Sequence, residues 1–423
     1  MKRVGAGALL GGSLLFVAAA LSGNNHYAGV TQAKPNGEDF VVSSPGDAGP
    51  GSLRDAILAA DRLSEKARIV IVSRRITIES ALPALVNPHG ISIEAGPQAG
   101  IIDAARQSKG ATLQVNSPSS TLRGLSIVNA REIAIVVSAP AAELDTVAVT
   151  DSKIAILLGA AAKGCIIRKS SFEHDDTAIT AETGVRDVTV VDSAFRANAR
   201  AGFWFVGASD NAAGSSAAPD KGETSPTYSV RLIGDTFEKN AAGVVVANRP
   251  TLIQGSHFIG NQEAAIMILS GAARIQDNDI RSSAGTAISV TDGNAVWVMH
   301  NLLDANRASA IMVRDSRATI EGNKIQENAF GIVTISNRTS DTLIRDNWLS
   351  KNSADAITVI GGSPQVLRNQ MLSNGGAGLR ILDLVTAQGG LKATPQLDAN
   401  VFKDNRIDMP PAGTYKLANA NPP

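Results

Sequence analysis

An internal repeat constrains this chain more than any other feature. From residue 165 onward the sequence returns to one short phrase, mostly every 21 to 24 residues. The phrase is an apolar residue, two variable residues, Asn, Ser or Asp, one variable residue, then a large apolar residue. Ile167, Ser170 and Phe172 form one set; Ile275, Asn278 and Ile280 form another; Val366, Asn369 and Met371 form a later one. A second polar position follows the first, at Asp175, Asn198, Asn240, Asn261, Ser283, Asn306, Asn328, Asn352, Asn374 and Asn405, with a weaker start at Ser152. After it comes a short run of period two, such as Ala265-Ile266-Met267-Ile268, as a strand with one buried face requires.

A segment of about 22 residues holds three short strands and three turns, and equivalent positions in successive segments then lie about 4.8 Å apart. Asn at a fixed turn position can bond the Asn above and below while its amide serves the turn backbone. The spacing therefore predicts an all-β solenoid of roughly 12 parallel coils carrying two polar ladders. No coil buries its own apolar face, so stacking must do so. A leucine-rich repeat would set its asparagine within a leucine pattern absent here, and a propeller blade needs a longer period. Composition agrees: 44% of residues are hydrophobic but only 4% aromatic, which suits narrow coils of small and β-branched side chains. The lone cysteine, Cys165, opens an apolar run and reads as a small buried hydrophobe.

Two intervals are long. One, of 42 residues, contains a Gly-, Ser- and Pro-rich loop insertion at 207–227; the other, of 31, contains a smaller insertion around Leu384 to Thr394. Insertions on a solenoid tend to decorate one face, often the binding face. At the N-terminus, Lys2 and Arg3 precede an apolar run from Gly5 to Leu21 with Ala18-Ala19-Ala20 near its end. Residues 1–22 read as a signal peptide cleaved near Ala20, with an uncleaved anchor as the alternative. Residues 23–37 read as a flexible leader, 38–407 as a single solenoid domain, and 408–423 as a mobile tail. Within the domain, residues 51–63 predict an amphipathic capping helix, with Ser52 as N-cap and Leu53, Ala56, Ile57, Ala60 and Leu63 on its apolar face. No other segment could cross a membrane, which leaves none in the mature chain.

GPGSLRDAI at 49–57, IIDAA at 101–105 and the repeating coils resemble the secreted right-handed parallel β-helix superfamily, the group of pectate lyases, polygalacturonases and alginate C5-epimerases. The resemblance spans about residues 38 to 407. It implies a right-handed coil, export to the periplasm or medium, and a polysaccharide partner. Fold does not dictate chemistry, so the site must be sought in the residues. No polygalacturonase-type set of aspartates is present. The outward column after the second ladder (Thr180, Trp204, Val245, Met267, Ser289, Met312, Val333, Thr358, Arg380) is mostly neutral, unlike the acidic stack of calcium-dependent pectate lyases. The sequence suggests no metal site and no cofactor.

The densest titratable run is Glu173-His174-Asp175-Asp176. His174 can act as base or acid near neutral pH beside a carboxylate. Neighbouring coils should bring Lys153, Arg196, Arg200, Glu238 and Lys239 close. A uronate lyase or epimerase needs a cation against the carboxylate and a base for the C5 proton. His174, Asp176, Lys153 and Arg200 are the candidate catalytic set; EHDD is also similar to the Asp-Pro-His-Asp of alginate epimerases, but without the proline. Trp204, Arg196 and Lys239 are the candidate substrate-binding residues, with the Trp204 indole offered to a sugar face. Alternatively the turn is a solvated one whose charges pair up the stack, and Asp175 is a ladder residue. Three functions stay open: a carbohydrate-active enzyme of lyase, epimerase or hydrolase type; a non-catalytic binding or export scaffold in an exopolysaccharide or envelope pathway; and a passive surface structure. The formal net charge of zero gives no field toward nucleic acid.

Overall fold

The computed structural model describes residues 39–206, 228–337, 342–386 and 389–416. The segments expected as a signal peptide (1–22), a leader (23–37) and a loop insertion (207–227) lie outside these residues.

A full coil has three strands, reduced at the two ends of the stack to a single bridge residue in the third place, Leu85 and Ile407. In one full coil they are Ile166–Arg168, Ser171–Glu173 and Thr177–Ala181, called here the first, second and third strands. Each lies parallel on its counterpart in the next coil: Ile167 opposite Val190, Phe172 opposite Phe195 and Ile179 opposite Phe203. The second strands form a 14-stranded sheet, and the first and third strands join in a 27-stranded one. They join because Ala264–Gln276 and Thr286–Met299 run unbroken from a third strand into the next first strand. The chain is thus an all-β parallel β-helix with one short helix, as the repeat predicts.

The core runs the length of the axis, and its side chains stack on their own kind. Phe172, Phe195, Phe237 and Phe258, all fully buried, are stacked with ring centroids 5.2, 4.5 and 4.8 Å apart, close to the strand spacing. The third strands face this column with small residues. A Cβ on Gly202 would sit 2.7 Å from Phe237, and one on Gly243 would sit 3.0 Å from Phe258 and 2.4 Å from the Ala265 carbonyl. Cys165 is fully buried with its thiol against the Ala139 carbonyl at 3.7 Å, and burial raises its pKa.

Both polar ladders form. In the first, the backbone N–H of Asn278 donates to Asn301 Oδ1 at 3.0 Å, and that of Asn301 donates to Asn323 Oδ1 at 3.0 Å. In the second, Asn306 and Asn328 repeat the arrangement. Each side-chain amide also reaches back: Asn301 Nδ2 donates to the Ile275 carbonyl at 2.9 Å and forward to Asn323 Oδ1 at 3.0 Å. The rungs turn inward because the residue before each is left-handed. Lys169, His174, Asp192, Ala197, Lys239, Asp277 and His300 all have φ between 51° and 58°. That conformation costs a non-glycine residue roughly 1–2 kcal/mol, and the ladder bonds offset it.

The N-terminal end is closed by the helix Leu53–Ala60, shorter than the predicted span. The Ser52 side chain accepts from the Asp55 N–H at 3.2 Å. Leu53, Ala56, Ile57 and Ala60 are buried on the first coil. Buried Asn87 meets the chain at the helix C-terminus, its amide donating to the last helical carbonyl, Ala60, and to the carbonyls of Leu63 and Glu65 beyond it. At the other end, the insertion near Leu384 is an antiparallel pairing of Leu379–Thr386 with Gly389–Leu391. Within the segment expected as a tail, Gly413–Lys416 forms a further parallel strand on that same extension.

Removing an interior rung should cost far more than removing a terminal one. Asn301→Ala would strand the buried Asn278 N–H and Ile275 carbonyl, about 1–3 kcal/mol for each orphaned group. Asn405→Ala, at the partly exposed last rung, should cost about 1 kcal/mol or less. Urea denaturation of both variants checks this; equal midpoints would refute the ladder's role.

Candidate functional site: a charged turn beside Trp204

The site forms where second strands turn into third strands. Ile154, Thr177 and Ala201 are partners in successive coils, so the residues before them, Lys153, Asp176 and Arg200, stand in one column. Backbone bonds hold that column: the Thr177 N–H donates to the Lys153 carbonyl at 3.1 Å, and the Arg200 N–H donates to the Asp176 carbonyl at 2.7 Å. Glu132 stands one coil earlier, its carbonyl taking the Ile154 N–H at 2.8 Å. Four charges of alternating sign therefore rise through four coils at strand spacing, on residues about 22 positions apart in sequence. Lys153 and Arg200 are exposed and Asp176 is half-buried.

His174 lies one step away. Its φ of 58° belongs to the turn, and its backbone N–H donates to the Arg196 carbonyl at 3.1 Å. The imidazole is exposed. Among the described residues it makes no side-chain hydrogen bond or ion pair. His174 and Asp176 flank Asp175, whose carboxyl turns inward as a ladder rung. They are neighbours across an inward residue, not a bonded pair.

Arg196 and Lys239 are engaged along the edge of the second strands. Arg196 bridges Glu173 at 2.9 Å and Glu238 at 3.6 Å, and Lys239 reaches Glu238 at 3.1 Å. Their charge is largely balanced before any ligand arrives. Arg200 differs: its guanidinium carbon lies over the Trp204 ring, 5.7 Å from the centroid. That distance permits a cation–π contact.

Trp204 is half-buried on the outer face of the third strands. It packs with Ala201, Ala242, Val245, Met267 and Leu269 in an apolar cluster separate from the core. Thr180, Trp204, Val245, Met267, Ser289, Met312, Val333, Thr358 and Arg380 follow one another in register, in the order read from the repeat. The 207–227 insertion leaves directly after Val206, at the end of the strand that carries Trp204. The Leu384 extension leaves the same edge of the same face.

Two features of this face escaped the sequence reading. Val333, Ile335, Ile360 and Leu384 form a second outer apolar cluster with Leu382 and Tyr415; Val333 stands in the outward column of the repeat, but its partners come from other strand positions and from the segment past residue 407, which the repeat phrase does not relate to it. Asp355 is also buried there. Burial pushes its carboxyl up, but the Arg380 guanidinium, bonding at 2.5 and 2.9 Å, and the Ala377 N–H hold it below the usual range. Its oxygens are filled, as in a structural clamp. Among the described residues, no group of three or more His, Cys, Asp or Glu could hold a metal ion, and no helix is long and apolar enough to cross a membrane.

The architecture and the comparisons define one class. Residues 227–408 match the family model described as "right handed beta helix region", and the chain is a right-handed parallel β-helix protein. The catalytic unit of a thermostable GH87 alpha-1,3-glucanase from Streptomyces thermodiastaticus superposes with a TM-score of 0.57 at 12% identity, over 88% of this chain and 70% of that one. A GH87 alpha-1,3-glucanase catalytic domain in complex with tetrasaccharides gives 0.51 at 12% identity, over 89% and 70%. The periplasmic alginate epimerase AlgG gives 0.44 at 13% identity, over 77% and 78%. No curated protein matches the chain in sequence.

The Glu173–Arg196–Glu238–Lys239 chain lies at the surface, with each member at least partly exposed, so it should add little stability. Arg196→Ala should cost less than about 1 kcal/mol, and the loss should vanish at high salt. Denaturation midpoints at low and high salt measure both; a larger, salt-insensitive loss would show that the pair is built into the fold.

Proposed function

We propose that this chain is an exported protein that acts on a polysaccharide, an acidic uronate polymer, by lyase, epimerase or hydrolase-type chemistry at the turn around His174. The observation that carries the reading is the Lys153–Asp176–Arg200 column ending against Trp204. An indole with a cation over it suits a sugar ring that bears a carboxylate: the ring stacks through apolar contact and the guanidinium answers the charge. Lys153 supplies a second cation two coils away. His174, exposed and unbonded, is placed to move a proton, and Asp176 to steer it. Arg196 and Lys239 serve the rim.

The GH87 glucanases supply support at the level of architecture, since one of them holds tetrasaccharides on a fold of this kind. The signal-peptide reading of residues 1–22 agrees with action in the periplasm or medium, where such polymers lie.

A second reading has its own observation. His174 has no carboxylate bonded to it to set its tautomer, and Arg196 and Lys239 are already paired. A non-catalytic binding or export scaffold in an exopolysaccharide or envelope pathway needs only the Arg200–Trp204 platform.

The full chain, with alginate and polygalacturonate as probes, separates the two. Trp204→Ala and Arg200→Ala should each weaken binding about tenfold, or about 1.4 kcal/mol. His174→Ala and Asp176→Ala should abolish product formation and leave binding intact. Binding by the wild type with no product selects the scaffold; binding unchanged in the Trp204 and Arg200 variants removes the site.

A further inference from the structure

The ladders contain two carboxylic acids where every other rung is an amide or a hydroxyl. Asp175 stands in the second ladder: its Oδ1 accepts the Ser152 N–H at 2.8 Å, and its own N–H donates to Asn198 Oδ1 at 3.0 Å. Asp235 stands in the first: its Oδ1 accepts the Ser193 N–H at 2.8 Å, and its N–H donates to Ser256 Oγ at 3.1 Å. Both are about 1% exposed or less. In each, Oδ2 is buried and has no hydrogen-bond partner.

The neighbouring rungs show what belongs at Oδ2. In Asn198 that position is Nδ2, which donates to the Phe172 carbonyl at 3.2 Å; in Asn278 it donates to the Ile253 carbonyl at 3.0 Å. Register carries these acceptors to the acid rungs. Phe172 lies opposite Val149, and Leu232 opposite Val190, so the carbonyls of Val149 and Val190 take the equivalent places. Such a site calls for a donor, and a carboxylate has none.

We propose that Asp175 and Asp235 serve as neutral carboxylic-acid rungs, each donating an Oδ2 hydrogen where asparagine donates its amide, and that losing this proton loosens the stack at the charged turn. Burial is the main force that holds the proton, pushing both groups up to about 8. The charges that face them add to it: Asp151 from the preceding coil and Glu173 from its own coil for Asp175, and Asp192 from the preceding coil for Asp235. Around Asp175, Lys153 is exposed, Arg200 is exposed with its guanidinium over Trp204, and Arg196 is paired with Glu173 and Glu238. The two acids lie on either side of the coil that carries Trp204 and the 207–227 insertion. Asp175 also separates His174 from Asp176. The seam thus coincides with the candidate site, but the proposal stands whatever that site does.

The sign follows from the raised folded-state pKa. The folded chain holds these protons through a range in which the unfolded chain has released them. Their stabilisation is complete below pH 4 and is lost as pH rises toward 8. Between those limits each aspartate should lower the folding constant about tenfold per pH unit.

The test uses the full chain and Asp175→Asn, Asp235→Asn and the double variant. Denaturation midpoints between pH 5 and 9 should fall for the wild type, fall less for each single variant, and be nearly flat for the double. At pH 8 and above the asparagine variants should be the more stable. Infrared spectra at pH 6 should show a protonated-carboxyl C=O band that the double variant lacks. A wild-type midpoint no more pH-dependent than the double variant's, or a missing carboxyl band, overturns the proposal. If the variants prove less stable than the wild type at pH 9, it is overturned too.

Discussion

One bond organises this molecule: the backbone N–H of a turn residue donating to the side-chain oxygen of the rung in the next coil. From Ser170 to Asn400 and from Ser152 to Asn405 it recurs almost without interruption. A solenoid turn has no partner strand to satisfy its backbone, and buried N–H groups are costly to leave open. The inward rung solves this inside the coil. It also fixes register, since a rung can serve its neighbour only when the strands between them are aligned. The stacked phenylalanines and the small residues opposite them follow from that alignment.

Register in turn makes the candidate site. A parallel β-helix turns residues some 22 positions apart into neighbours at strand spacing. Lys153, Asp176 and Arg200 are remote in sequence and adjacent in space. The outward positions of such a column are free of the core's packing demands, so they can carry charge or an indole at little cost. The left-handed residue before each rung has the same freedom, and His174 occupies one such position.

The repeat phrase was legible because its demands are local. An inward polar turn, a strand of alternating residues and a fixed period leave a mark at every coil, and Ser152, with no full phrase around it, still proved to be a rung. The capping helix was legible for the same reason, though the helix itself spans only Leu53–Ala60 within residues 51–63. The site was legible only as a list. Spacing located Lys153, Asp176 and Arg200 in one turn, but it could not tell Arg196, held between two glutamates, from Arg200, resting on Trp204. Nor could an outward column that holds Val245 and Val333 show which of its neighbours would gather with them into apolar clusters.

The chain by itself determined the coil, its period, its two ladders and the side of the strand each residue faces, because all of these depend on interactions repeated within one turn of the helix or between identical turns. The tertiary structure alone decided which charges are spent on one another, which acids lose contact with water, and which outward apolar residues gather into clusters. Those outcomes depend on side-chain reach and on desolvation, quantities set by neighbours that no single coil contains.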